Sequence, residues 1–343
     1  MNQQAREMKL DWDKRAAEDA RWYINTVRRQ QTEAEFDAGG RHEVQSQIVD
    51  SLALLTGDRD PRQLRLLEIG CGIGRMTKHL AEIFGEVYAV DVSAEMIRQA
   101  QARLPGLANV RLFETSGEDF ALFPDQSFDV IFSAYVFQHV PSTAIIRGNL
   151  VDAWRVLKPG GVFKFVTNGV TAETADTKDS WNGVAFPEAA LRQLAHELGA
   201  QSLGLFGEET QYCWTMLRRR VHPQPHARTH APQVVLCGHA DDLARTEVSL
   251  SGARPYLTLV LAGAFSEWDD AASVTIELAG RTILPRYAGP PGANVLAALP
   301  AHVAESLFQV NLQLATDLPL GELPLCVHWG DGAVTRASVK LVR

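Results

Sequence analysis

Cysteine is scarce in this chain, and the four present (Cys71, Cys213, Cys237 and Cys326) stand far apart with no Cys-x-x-Cys pair. That spacing argues against both a disulfide framework and a zinc knuckle. No apolar run approaches the ~20 residues of a bilayer-spanning helix. The N-terminus, MNQQAREMKLDWDKRAAEDA, lacks the apolar stretch of a secretory signal. Basic residues are outnumbered as well: 33 Lys and Arg against 41 Asp and Glu leave a net charge of −8. Such a surface repels phosphate backbones, so neither nucleic acid nor a membrane is an expected partner. The expectation is a reduced, cytoplasmic, globular protein. Its 343 residues, 46% of them hydrophobic, suffice for about two domains.

Residues 1–55 read as helical, with Met8, Trp12, Trp22, Tyr23, Ile24 and Val27 spaced among dense charges. Strand and helix signals then alternate. LRLLEI (64–69), EVYAVD (86–91), NVRLFE (109–114), FDVIFSAYVF (128–137) and GVFKFVTN (161–168) read as strands. Helical spacing marks 75–84, 94–104 with Ser93 as cap, 143–157 and 187–200, and Lys158-Pro159-Gly160-Gly161 reads as a turn. This rhythm means βαβ crossovers and a parallel sheet covered on both faces. QSLGLFG and QYCWTMLRR follow as a pair of strands, while 169–186 reads as a loop. The stretch 221–233, rich in proline and histidine, reads as a linker. Beyond it, from 234 to 343, seven segments of period-two alternation predict an all-β sandwich, broadly immunoglobulin-like in size and strand count.

The segment LLEIGCGIGRMTKHLAEIFGEVYAVDVSAEMI carries the chemistry. A buried strand ends at Glu68, and Gly70, Gly72 and Gly74 let the backbone turn sharply against a ligand before a helix opens. Asp91 sits at the end of the next strand, where a carboxylate can accept from two vicinal ribose hydroxyls. A dinucleotide site needs GxGxxG, whereas the sixth position here is Arg75. Glu68 would oppose a pyrophosphate but suits an ammonium, directly or through water. S-adenosylmethionine has ribose, an α-ammonium and no phosphate, so the charge pattern selects it over NAD.

These residues resemble the first motif of the class I S-adenosylmethionine-dependent methyltransferases, with Glu68, Gly70, Gly72 and Gly74 in the places of its acid and glycines. VYAVDVSAEMI resembles the second-strand motif, which implies that Asp91 holds the ribose and Met96 packs the adenine. TSGEDFALFPDQSFDVIFSAYVFQHV resembles the adenine loop and fourth strand. It implies adenine contacts from Ser116, Gly117 and Glu118, with Ser116 where an acid is more usual. Arg75, Val92, Ser133, Tyr135 and Tyr23 complete the implied cofactor-binding set. The resemblance covers about residues 60–220. It implies a seven-stranded Rossmann-like sheet of order 3-2-1-4-5-7-6 with strand seven antiparallel, N-terminal lid helices, and ligands at the switch between strands one and four. The domains expected are then a lid (1–55), a cofactor-binding domain (56–220), a linker (221–233) and the β-sandwich (234–343).

Methyl transfer requires in-line placement of the acceptor, exclusion of water and, for some acceptors, removal of a proton; no metal is demanded. His139 in FQHVP lies on the rim expected for a general base, or ties the loop before Pro141. Tyr23 and Trp22 gate the site or simply pack a helix. Tyr135 is a catalytic candidate or a wall. His222, His226 and His230 are spaced by four, but prolines interrupt them and a solvated linker is the plainer reading. Cys71 reads as a packing residue, Arg218 to Arg220 as a charged strand end, and Trp181 with Phe186 as acceptor-pocket walls or loop anchors. The expected activity is methylation of an oxygen or nitrogen of a small molecule by a possible homodimer. The alternatives are methylation of a protein or glycan recognised by the β domain, and a non-catalytic binding protein.

Overall fold

The computed structural model describes residues 2–170, 180–207, 210–221, 228, 230–239, 247–251, 255–263, 265, 269–271, 273–291, 295–296 and 306–343. The chain divides into two compact units, Met1–Leu191 with Leu203–Val221, and Arg192–Ser202 with His222–Arg343.

The N-terminal helices are α1 (Gln3–Ile24), α2 (Glu33–Gln47) and α3 (Leu52–Thr56). Asn2 caps α1, which kinks at Asp19, where the side chain accepts from the Trp22 amide at 3.1 Å and restarts the helix. A reciprocal capping box of Thr32 and Glu35 opens α2. The chain then alternates: β1 (Arg65–Ile69), α4 (Thr77–Leu80), β2 (Glu86–Asp91), α5 (Ala94–Arg103), β3 (Val110–Glu114), β4 (Phe128–Ser133), α6 (Thr143–Val156), β5 (Leu157–Thr167), α7 (Glu188–Glu197), β6 (Gln201–Phe206) and β7 (Cys213–Arg218). The seven strands form one sheet of order β3-β2-β1-β4-β5-β7-β6, with β5 and β7 antiparallel. Every residue of β4 is buried, as the centre of a sheet covered on both faces requires.

Three boundaries differ from the sequence reading. Strand β4 stops at Ser133 rather than Phe137, because Tyr135 adopts a left-handed backbone (φ 60°) that no strand continues through. The Lys158–Gly161 segment, expected as a turn, lies within β5, and the Gly160 amide donates to the Arg219 carbonyl at 2.6 Å. The helix expected over 75–84 is regular only over α4, since the glycine loop unwinds into it through turns.

The second unit contains β8 (Gln233–His239), β9 (Glu247–Ser249), β10 (Tyr256–Ala262), β11 (Val274–Leu278), β12 (Arg281–Ile283), β13 (Tyr287–Gly289), β14 (Leu307–Gln313), β15 (Gly321–Trp329) and β16 (Val334–Val342). They build a four-stranded sheet, β13-β14-β10-β8, and a five-stranded one, β12-β11-β15-β16-β9. Inward side chains of both, among them Leu259, Val310, Ile276 and Val327, form one buried cluster, so this is a sandwich. Strands β12 and β13, of three residues each, are not among the seven segments expected from the sequence.

Candidate functional site

A cavity of about 690 Å³ opens at the carboxyl ends of β1, β2 and β4, the switch point of the sheet. Gly70, Gly72, Arg75, Asp91, Val92, Met96, Gly117, Tyr135, Tyr23 and His139 all line it, so most of the expected site residues converge. Gly70 and Gly72 have φ of 74° and 54°, and a Cβ on either would meet Val136 or Ile24 at 2.1 and 2.6 Å. Only glycine therefore lets the loop pass this close to its neighbours.

Asp91 stands beside the loop. One carboxylate oxygen accepts from the Gly72 amide at 2.8 Å and the other from the Ser93 amide at 2.9 Å. No cation is paired with it among the described residues. Burial raises its pKa, although the amides of Ser93, Gly72 and Val92 pull the other way. Lone pairs remain on both oxygens for two hydroxyl donors. Ser93 caps α5 through the Met96 amide, which sets Met96 against the cavity.

Five expected residues stand off the cavity wall. Glu68 is buried on the face of β1 that packs against α4, one residue out of phase with the cavity-lining Ile69. Thr77 Oγ1 donates to Glu68 Oε2 at 2.6 Å, and Oε1 has no partner. Burial, countered in part by Thr77, pushes the carboxyl up to about 7. The residue sits behind the loop, off the cavity wall, where the water-mediated form of the expected ammonium contact is the one open to it. Gly74 lies under Arg103, to whose Nη1 its carbonyl is bonded at 2.8 Å. Ser133 is buried and donates to the Ile69 carbonyl. Ser116 Oγ accepts from the Glu118 amide and Glu118 accepts from the Asn2 amide, whereas Thr115 and Gly117 face the cavity.

The far wall is aromatic. Trp12, Tyr23, Trp181 and His139 pack with ring centroids 5.3–6.5 Å apart. Behind them the Arg15 guanidinium lies over Trp12, Tyr23 and Trp181 and bonds Ser180 Oγ at 2.7 Å and Asp11 at 2.8 Å. These contacts hold α1 against the segment 180–182. Trp22 takes no part in this wall; it stacks beneath Arg29. Phe186 is likewise buried away from the cavity. His139 Nδ1 lies 2.6 Å from the Trp181 carbonyl, which can only accept, so Nδ1 carries a proton. Gln138 Nε2 approaches that Nε2 at 3.3 Å.

The deep end holds residues that the motifs do not contain. Glu43, from α2, accepts from the Tyr135 hydroxyl at 3.1 Å, and Tyr212 packs edge-on to Tyr135. Asn149, Asn168 and Asn182 also line the cavity. Glu43 comes from a helix far from any glycine motif, which is why sequence spacing misses it.

The remaining sequence candidates are structural or fall elsewhere. The Cys71 thiol is pushed up by burial and by the nearby Asp91 and Glu68 carboxylates, which suits packing. Arg219 Nη1 donates to the carbonyls of Trp154, Arg155 and Leu157, and Arg218 to that of Leu54. Of the three spaced histidines, His222 and His226 lie outside the described residues. No helix among the described residues is long and apolar enough to cross a membrane.

Residues 67–165 match the model of a family described as methyltransferase domain. A demethylmenaquinone methyltransferase of Tropheryma whipplei is 36% identical over 96 residues, covering 28% of this chain and 38% of that protein. A trans-aconitate 2-methyltransferase of Rhodopseudomonas palustris is 41% identical over 115 residues, covering 33% and 41%. Among solved structures, phosphoethanolamine N-methyltransferase 1 of Haemonchus contortus aligns with a TM-score of 0.47 at 16% identity, covering 66% of this chain and 51% of that one. The chain thus spans about two-fifths of the length of these curated relatives. Residues 67–165 are thus similar to a methyltransferase domain, and the sheet order and the glycine loop of the first unit agree with that match.

Proposed function

We propose that the chain transfers the methyl group of S-adenosylmethionine to an oxygen or nitrogen of a small-molecule acceptor. The observation that carries this reading is a single cavity joining two unlike ends. One is the glycine loop with its cation-free Asp91, and the other is the aromatic wall of Trp12, Tyr23 and Trp181 around His139. The residues fit the cofactor. Asp91 would accept from the ribose hydroxyls, Met96 and Val92 would pack the adenine, and among the described residues no ring of cations lines the cavity to await a pyrophosphate. When bound, the cofactor supplies a methyl group already activated by its sulfonium.

The protein then has three tasks. The aromatic wall orients the acceptor, which has to lie ~3–3.5 Å from the methyl carbon. Helix α1, tied to residues 180–182 through Arg15, covers the cavity against water. His139 takes the acceptor proton on Nε2, because its Nδ1 proton is committed to the Trp181 carbonyl. A small acceptor is also favoured by relatives whose names specify demethylmenaquinone and trans-aconitate.

Release of S-adenosylhomocysteine from the full chain, screened over small phenols, amines and carboxylic acids, tests the reading. Turnover is expected with at least one class. His139→Ala should cut that kcat by roughly 10²–10⁴ while S-adenosylhomocysteine still binds. Wild-type kcat in the variant would remove the base, and cofactor turnover with none of the panel would count against a small acceptor.

A further inference from the structure

Helix α1 carries polar side chains in pairs spaced by four. Lys9 and Asp13 share one face and Asp11 and Arg15 another, because positions two apart point about 200° from each other round a helix. Met8 and Trp12, between these faces, line the cavity. The first pair holds the turn after β2. Lys9 Nζ donates to the Val92 carbonyl at 3.0 Å, and Asp13 Oδ1 accepts from Ser93 Oγ at 2.6 Å and from the Glu95 amide at 3.1 Å. Asp13 is thus a second N-terminal cap for α5, supplied from another helix and set beside the turn that carries Asp91.

The second pair holds the segment 180–182. Arg15 Nη1 donates to Ser180 Oγ at 2.7 Å, Ser180 Oγ donates to Asp11, and the guanidinium lies 5.5 Å from the Trp181 ring centroid. This segment belongs to no helix or strand, so its position is set by these side-chain ties and not by a backbone ladder. The Trp181 carbonyl, one residue beyond the buried Ser180, is the group 2.6 Å from His139 Nδ1. In a neutral imidazole one nitrogen donates and the other accepts, and the bond made by the first decides which is which. A neutral histidine side chain without such a bond prefers its proton on Nε2, and in that form Nε2 cannot receive another.

We propose that Arg15 and Ser180 are positioning residues for His139: through the Trp181 carbonyl they fix its proton on Nδ1, and they do so only while α1 lies on the turn between β2 and α5. The proposal rests on the reading of His139 as the base and adds a regulation of that same site. One helix joins the turn beside Asp91 to the segment beside His139, so the element that covers the cavity also prepares the base. With α1 lifted, Ser180 loses Arg15 and Asp11 together, and the carbonyl that orients the imidazole is no longer held.

Histidine nitrogen NMR of the full chain with S-adenosylhomocysteine bound, at about pH 8.5 where an ordinary imidazole is neutral, reads the tautomer directly, and His139→Ala assigns the signal. The wild type is expected to carry its proton on Nδ1. Arg15→Met and Ser180→Ala should each shift it toward Nε2 and lower kcat about tenfold, a part of the 10²–10⁴ that a general base contributes, with S-adenosylhomocysteine still bound. Asp13→Ala should do the same from the opposite face of α1, a result that contact with Ser180 alone would not produce. A wild type protonated only on Nε2 overturns the proposal without any variant. An unmoved tautomer in the variants, or a moved one with wild-type kcat, overturns it and leaves His139 as the base. Wild-type kcat in His139→Ala removes the base and the proposal together.

Discussion

The Gly70 backbone passes so close to Val136 that a Cβ built on it would lie 2.1 Å from Val136 Cγ2. The corresponding clash at Gly72 is with Ile24 Cδ1, at 2.6 Å, the far end of a side chain able to swing away. Both glycines have positive φ, so alanine at either carries roughly 1–2 kcal/mol of backbone strain. Only Gly70→Ala must also displace Val136, whose clashing methyl is bonded directly to Cβ and has no flexible end to swing away. Gly70→Ala is therefore expected to be the more destabilising, lowering the Tm by several degrees more than Gly72→Ala at ~2–4 °C per kcal/mol. Thermal unfolding of the two variants checks the order. A reversed order would mean that Ile24, not Val136, is the rigid neighbour.

Glu68 gives the ligand-free protein a pH dependence of definite sign. Its folded carboxyl is raised from 4.5 to about 7, chiefly by burial, so the folded state holds the proton more tightly than the unfolded chain. Stability from this group is present below the unfolded value and is lost as pH rises through about 7, by an amount on the order of 3 kcal/mol. Asp91, also raised by burial, acts in the same direction. Glu68→Gln retains an acceptor for Thr77 and removes one share of the loss. Urea unfolding should show the variant gaining on wild type between pH 5 and pH 8. A difference independent of pH would mean that Glu68 is ionised throughout.

In the second unit Arg228 bridges Asp269 and Asp331, each at 2.6 Å, with its guanidinium 4.6 Å from the Trp329 ring. The three side chains are at most 9% exposed. Arg228→Met would leave two buried carboxylates without their cation, at a cost of about 3–5 kcal/mol. Burial alone would raise Asp331, but hydrogen bonds from Arg228 and the Ala333 amide outweigh it and hold the carboxyl below its usual range. Its contribution is thus present above the unfolded value and lost as pH falls through the depressed one. Denaturation of the second unit at pH 7 and near pH 3 should show the cost of Arg228→Met shrinking in acid. An undiminished cost would assign the loss to packing on Trp329.

Much of the sheet was legible because its signals are local. Apolar runs closed by glycine, Ser93 three residues before Met96, and Asp91 at a strand end all announce themselves within a few positions. The orientation of Glu68 was not legible. Strand alternation fixes which neighbours share a face, but only the placement of α4 shows that this face is closed by Thr77. Glu43 was hidden for another reason: it reaches the cavity from a segment without a motif, across 92 residues to Tyr135. Trp181, read as a pocket wall or a loop anchor, does line the cavity, but its tie to His139 across 42 residues was not legible. The left-handed turn at Tyr135 has no sequence mark, since tyrosine seldom adopts it.

Binding of S-adenosylhomocysteine to the wild type and to Asp91→Ala, measured by calorimetry, tests the central claim most directly. Clear binding by the wild type is expected, with no competition from NAD, and affinity about ten- to a hundredfold weaker in the variant as the ribose loses its carboxylate. Equal affinity in the two proteins, or a wild type that prefers NAD, would contradict it.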